Sequence, residues 1–122
     1  MLETVERKAT EDTPYILLRD DGYCKFEGDS YPEDIATFYH PIIKWFEQYD
    51  KEGRNDMVID FQLHYFNSAS SKIFIEIFER LYRYTDKLIT VNWYYPENDE
   101  EILESGKIYQ GISNLKFNYI SY

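Results

Sequence analysis

The segment Asn67-Ser68-Ala69-Ser70-Ser71-Lys72 packs three hydroxyls, an amide and a lysine between two apolar runs. Where a strand turns into a helix, the first backbone N–H groups of the helix have no intrahelical partners. Polar side chains at such a junction can cap the helix, hold an anion, or present a hydroxyl for covalent phosphorylation. A single cap needs a single hydroxyl or amide. The redundancy here favours a surface that is read or modified.

Other residue constellations carry less chemistry. His40 and His64 are the only histidines, so a nucleophile–His–acid arrangement would have to use one of them. His64 lies four residues before Ser68 in an expected strand. A hydrolase built on that pair needs a sharp chain reversal, and a structural or surface histidine is the simpler reading. The five glycines are scattered singly, without GxGxxG or GxxxxGK[ST], which disfavours nucleotide hydrolysis. Glu97, Asp99, Glu100, Glu101 and Glu104 could suggest a hard cation, but acidic residues at a helix start offset the macrodipole, and no metal is expected. Cys24 is the lone cysteine, with no disulfide or thiolate cluster to join, and fits a buried strand. No catalytic residue and no cofactor are expected.

The chain has 122 residues, enough for one core, and its 43% hydrophobic and 19% aromatic content supplies apolar surface without disulfides or metals. Its 23 acidic residues against 13 basic ones give a formal charge of −10, which repels nucleic acid and anionic membranes. A protein partner with a basic surface fits better. No signal-peptide h-region and no apolar run of spanning length occur, so a cytoplasmic location is expected.

These residues need elements to position them. Polar residues 1–13 read as a flexible leader closed by Pro14, and residues 14–122 as a single domain. Tyr15-Ile16-Leu17-Leu18 and Tyr23-Cys24-Lys25-Phe26 form a hairpin about Asp20-Asp21-Gly22. Ser30 and Glu33 have capping-box spacing, with Pro32 in the first turn of a helix. Its inward stripe is Ile35, Phe38, Tyr39, Ile42, Ile43, Phe46 and Tyr49; Pro41 lies within it and Gly53 stops it. A central strand, Met57 to Phe66, leads into the polar run, and Ile73, Phe74, Ile77, Phe78, Leu81 and Tyr84 mark the buried face of a second helix. Leu88 to Tyr95 is a strand ended by Pro96; Asn98, with Glu101 three residues on, caps a third helix running through Ile102, Leu103 and Ile108 toward Gly111. Leu115 to Ile120 is the last strand. The order β-β-α-β-α-β-α-β predicts an α/β domain, an N-terminal hairpin and a mainly parallel sheet packed with three helices. Trp93, Tyr94 and Tyr95 divide between core packing and partner contact, because alternation buries one side of their strand.

Glu27-Gly28-Asp29-Ser30-Tyr31-Pro32-Glu33, then Tyr65-Phe66-Asn67-Ser68-Ala69-Ser70-Ser71-Lys72, then Trp93-Tyr94-Tyr95 followed by an acidic stretch form an ordered set of motifs. Over nearly the whole chain, from Tyr15 to Tyr119, it resembles the SiaC-type regulatory phosphoproteins of bacteria. The resemblance implies a STAS-like fold, as in anti-sigma-factor antagonists, and a non-enzymatic partner switch. It implies an anti-sigma-factor-type serine/threonine kinase, a PPM-type phosphatase that reverses it, and a target bound by the unphosphorylated form. In the family that target is a diguanylate cyclase, which links the switch to cyclic-di-GMP and biofilm behaviour.

The family's acceptor is a threonine directly after the asparagine of a pattern like Asn-Thr-Ser-Ser-Ser-Lys. The resemblance carries that role to Ser68, with Ser70 and Ser71 as fallback acceptors and Asn67, Ala69 and Lys72 completing the loop. Ala69 stands where the family has another serine, and Asp34 where an asparagine commonly follows Pro-Glu. Tyr31, Pro32, Glu33, Trp93, Tyr94 and Tyr95 are candidate partner contacts. A different reading of the same junction is a sensor whose helix N-terminus binds a free anionic ligand such as a nucleotide phosphate.

Overall fold

The computed structural model describes residues 2–83 and 86–122. Nine elements follow in chain order: β1 (Val5–Arg7), β2 (Tyr15–Leu18), β3 (Tyr23–Ser30), α1 (Ile35–Glu52), β4 (Met57–Phe66), α2 (Ser68–Tyr82), β5 (Ile89–Tyr95), α3 (Glu100–Ser113) and β6 (Lys116–Ser121). The six strands lie in one sheet in sequential order; β1, β2 and β3 pair antiparallel and β3 through β6 parallel. Parallel strands joined by helices require crossovers of one hand. Because the strands advance steadily across the sheet, the crossovers place all three helices on the same face.

Burial records that asymmetry. In β4, Met57, Ile59, Phe61 and Leu63 are buried, whereas Val58 and His64 are exposed and Asp60 and Gln62 half-buried. The helix-covered face holds an aromatic row: the rings of Phe26 and Phe61 stack at 4.5 Å, Phe61 and Trp93 at 5.8 Å, and Phe74 of α2 meets Phe61 edge-on at 5.7 Å. The open face carries a polar ladder instead. Tyr23 donates its hydroxyl to Asp60 at 2.7 Å, Asn92 donates to Asp60 at 2.9 Å, and Asn118 donates to Asn92 at 3.1 Å. Burial and the Asp60 hydrogen bond push the Tyr23 phenol well above its usual range, so it stays a donor.

Several expectations change in detail. Residues 1–13 are not all leader, since Val5–Arg7 is an edge strand paired with Ile16–Leu18. Trp45 helps to hold it, donating its indole N–H to the Glu3 carbonyl at 2.7 Å. The Ser30–Glu33 capping box does not form. Instead β3 runs on to Ser30 through a register shift at Gly28/Asp29, and the Asp34 carboxylate caps α1, accepting from the Thr37 N–H at 3.2 Å and hydroxyl at 2.8 Å. Both bonds hold the Asp34 carboxyl below its usual range. In α3 the cap is Asp99 rather than Asn98, and the helix passes Gly111 to end at Ser113, with Asn114 in the left-handed conformation. Helix α1 continues through Pro41; that residue and Thr37, whose carbonyl loses its N–H partner, are both exposed, so water can replace the missing bond. Tyr84, expected on the inner face of α2, lies outside the described residues.

Candidate functional site

The polar run is where β4 gives way to α2. Asn67 is the N-cap: its side-chain oxygen accepts from the Ser70 N–H at 2.9 Å, and its carbonyl from the Ser71 N–H at 3.0 Å. Ser68 and Ala69 are therefore the first two helical residues, and both are exposed. The register shift that carries β3 past Gly28 sets Ser30 beside Phe66, so the Ser30 carbonyl accepts from the Asn67 N–H at 3.1 Å.

The three serines have different surroundings. Ser70 is fully buried; its hydroxyl donates to the Ser30 carbonyl at 2.8 Å and lies 2.8 Å from the Ser30 hydroxyl. Ser71 is half-buried, with its hydroxyl 2.5 Å from that of Tyr109 in α3. Burial pushes the Tyr109 phenol up, partly opposed by the Ser71 bond. Among the described residues no hydrogen-bond partner touches the Ser68 hydroxyl. Lys72 is exposed one helical turn after Ser68.

The candidate partner contacts separate in space. Tyr31 and Tyr65 form an exposed edge-to-face pair, with centroids 5.7 Å apart, flanking the Ser30–Asn67 contact. The Tyr31 phenol is pushed up, first by desolvation and then by the charges of Glu11, Asp29 and Asp12. Glu33 is exposed beside them, whereas Pro32 is buried. Trp93 is core rather than contact: it is 1% exposed, and its indole N–H donates to the Ile102 carbonyl at 2.8 Å. Gly106 makes room for it, since a Cβ there would come within 2.6 Å of the indole. Tyr94 projects to the open face of the sheet beside Asn92, away from α2, and Tyr95 packs against the core. Tyr65, Tyr109, Ser30 and Tyr39 belong to the site although sequence reasoning gave them no such role: Tyr65 lies two residues before Asn67, the pairing of β3 with β4 brings Ser30, to which Tyr39 of α1 is bonded, and the packing of α2 with α3 brings Tyr109.

His64 does not serve Ser68. Its ring lies 6.3 Å from that of Tyr122, and with Tyr65, Phe66, Asp99 and Glu101 it lines a cavity of about 260 Å³. No hydrogen bond joins it to Ser68 among the described residues. The acidic cluster has a structural use: Asp99 caps α3, accepting from the Ile102 N–H at 3.0 Å, with Glu100 and Glu101 in the first turn. No helix among the described residues is long and apolar enough to cross a membrane.

Residues 7–122 match the model of the SiaC family regulatory phosphoproteins. The chain belongs to the SiaC family. A relative from Pseudomonas aeruginosa strain UCBPP-PA14, an uncharacterised protein, is 27% identical over 85 residues, which is 68% of each chain. Apo-SiaC from Pseudomonas aeruginosa has the same fold, with a TM-score of 0.88 and 22% identity over 97% of this chain and 98% of its own. A chain in the crystal structure of the diguanylate cyclase SiaD with its activator SiaC, from the same organism, matches at a TM-score of 0.91 and 23% identity, over 97% of this chain and 99% of its own.

Proposed function

We propose that this SiaC-family protein is a non-catalytic partner switch whose acceptor is Ser68. The observation that carries the assignment is the contrast among the serines: Ser70 is buried, the Ser71 hydroxyl is bonded to Tyr109, and Ser68 alone is exposed with an uncommitted hydroxyl. In the transfer, Ser68 Oγ bonds to the γ-phosphorus of ATP, the bond from that phosphorus to the β–γ bridging oxygen breaks, ADP leaves, and the hydroxyl proton passes to a base on the kinase. An anti-sigma-factor-type serine/threonine kinase performs this step, and a PPM-type phosphatase undoes the modification by hydrolysis: water attacks the phosphorus, the bond to Ser68 Oγ breaks, the oxygen regains a proton and inorganic phosphate leaves. All of these events take place in the cytoplasm, where the nucleotide donor is available.

The unphosphorylated protein binds and activates a diguanylate cyclase, a reading supported by the fold shared with the SiaC that activates SiaD. A phosphate adds roughly −1.5 to −2 charges at the start of α2, where free N–H groups and the helix dipole tolerate it. The protein therefore stays folded. A partner packed against this surface must then desolvate or repel the new charge, so binding falls without a large conformational change. Tyr31, Tyr65 and Glu33 border the acceptor and form the partner-facing surface. The anionic-ligand sensor has less support, because the adjoining cavity is lined by the carboxylates of Asp99 and Glu101, which repel an anion.

Pull-down and activity assays with the diguanylate cyclases of the same genome test the switch. Wild type and Ser68→Ala should both bind and activate one of them, and the phosphorylated wild type should not. Equal binding by the phosphorylated and unphosphorylated forms would contradict it.

A further inference from the structure

The hydrogen bonds beneath the acceptor run in one direction. A backbone carbonyl only accepts, so the Ser70 hydroxyl donates to the Ser30 carbonyl, 2.8 Å away. That commits the only proton on Ser70 Oγ. The 2.8 Å contact between the Ser30 and Ser70 hydroxyls must then be donated by Ser30, and the 2.6 Å contact between Ser30 and Tyr39 by Tyr39. Burial raises the Tyr39 phenol well above its usual range, against the lowering effect of the Ser30 bond, so its proton remains in place. All three residues are completely buried.

The Ser30 carbonyl is the common anchor, because it accepts from both the Asn67 N–H at 3.1 Å and the Ser70 hydroxyl. The residue before the acceptor and the residue two after it are thus tied to one atom. The bond from the Ser70 N–H to Asn67 Oδ1 closes the segment on itself. Ser68 and Ala69, whose side chains make no bond among the described residues, take their place from these ties.

We propose that Tyr39, Ser30 and Ser70 form a positioning relay, running from α1 through the end of β3 into α2, that fixes the direction and distance at which the Ser68 hydroxyl is offered for phosphoryl transfer. The inference rests on Ser68 being the acceptor. It gives Ser70 a role opposite to that of an alternative acceptor, since its hydroxyl is spent holding the loop. Positioning matters for such a transfer because misplacement by about 1 Å can cost on the order of a hundredfold in rate.

Tyr39→Phe removes one oxygen and keeps the ring; Ser70→Ala removes the link into α2. Ser113→Ala is the control, deleting a buried serine hydroxyl that donates to the Tyr109 carbonyl at the far end of α3. With an anti-sigma-factor-type kinase from the same genome and ATP, the two relay variants should lower kcat for Ser68 phosphorylation by about tenfold or more, with KM nearly unchanged because the docking surface is intact. Their Asn67, Ser70 and Ser71 amides should exchange with solvent about tenfold faster. Ser113→Ala should do neither. Relay variants indistinguishable from Ser113→Ala in both measurements would overturn the inference. If wild type takes no phosphate on Ser68, the assignment of the acceptor falls, and amide exchange alone still decides whether the relay holds the loop: faster exchange upholds the lock and unchanged exchange removes it.

Discussion

Helices α2 and α3 begin in equivalent places, at the ends of the adjacent parallel strands β4 and β5, and each is capped by the side chain of the residue before it. Their chemistry differs. Helix α3 starts with the Asp99 carboxylate and carries Glu100 and Glu101 in its first turn, so its positive end is already matched by negative charge. Helix α2 starts with the neutral amide of Asn67 and has no acidic residue in its first turn. Helix α1 resembles α3 in having a carboxylate cap, Asp34. Among the described residues, α2 alone of the three helices begins without a carboxylate, and there the uncommitted hydroxyl of Ser68 lies. A helix start closed by its own acids is a structural terminus; one left open can accept an added phosphate.

The two starts are also seated differently. Helix α3 is held by the indole of Trp93, through its bond to Ile102 and the space left by Gly106. Trp93→Ala should therefore destabilise the protein by about 3–5 kcal/mol, as large truncations in a core do, read from chemical denaturation. Asn67→Asp would give α2 the kind of start α3 has. The cap should survive, but the added carboxylate beside Ser68 should slow phosphate uptake about tenfold, by like-charge repulsion at short range. Asp99→Asn, the reverse change at α3, should leave uptake unaltered; intact-mass time courses measure both. Equal rates for Asn67→Asp and wild type would remove the significance of the neutral cap.

Smaller effects sharpen the same contrast. Asn67→Ala deletes the α2 cap and should cost about 1 kcal/mol by denaturation. Acid should act on α1 but not on the α2 cap. The Asp34 carboxyl is held low by Thr37, so its contribution is present above the unfolded carboxylate pKa of about 4 and is lost as pH falls through the lower folded value. Protection of the Thr37 amide, its exchange measured against the intrinsic rate at each pH, should therefore fall below that range, and Asp34→Asn should flatten the dependence, whereas protection of the Ser70 amide, capped by a side chain that does not titrate, should show no matching step.

The elements were legible in the sequence but the carboxylate caps were not: Ser30 and Asn98 have the type and spacing of caps for α1 and α3, and Asp34 and Asp99 fill those places. The run from Met57 to Phe66, nearly continuously apolar and then alternating, suits a central strand covered on at least one face, and the three-and-four spacing of Phe74, Ile77, Phe78 and Leu81 an inward helix face; both are found. Asn67 and Ser68 are both residue types that cap a helix, and the structure assigns the role to Asn67. Strand β1 was hidden, since Val5-Glu6-Arg7 has no pattern of its own and exists through pairing with β2 and the Trp45 bond to Glu3. Ser30 departs from its pattern for a related reason: its spacing to Glu33 imitates a capping box, while its hydroxyl is drawn inward by Tyr39 and Ser70, nine and forty residues away. Among the serines, spacing alone sets Ser70 on the inward face, four residues before Phe74. The separation of Ser71 from Ser68 is long-range, made by Tyr109 of α3, and so is the bond that ties Ser70 to β3.

Site-resolved mass spectrometry of the protein after incubation with an anti-sigma-factor-type kinase and ATP reads which of the three serines accepts phosphate. One phosphate on Ser68, with Ser70 and Ser71 unmodified and no phosphate on Ser68→Ala, is the predicted result. Phosphate on Ser70 or Ser71, or its persistence in Ser68→Ala, would contradict the account.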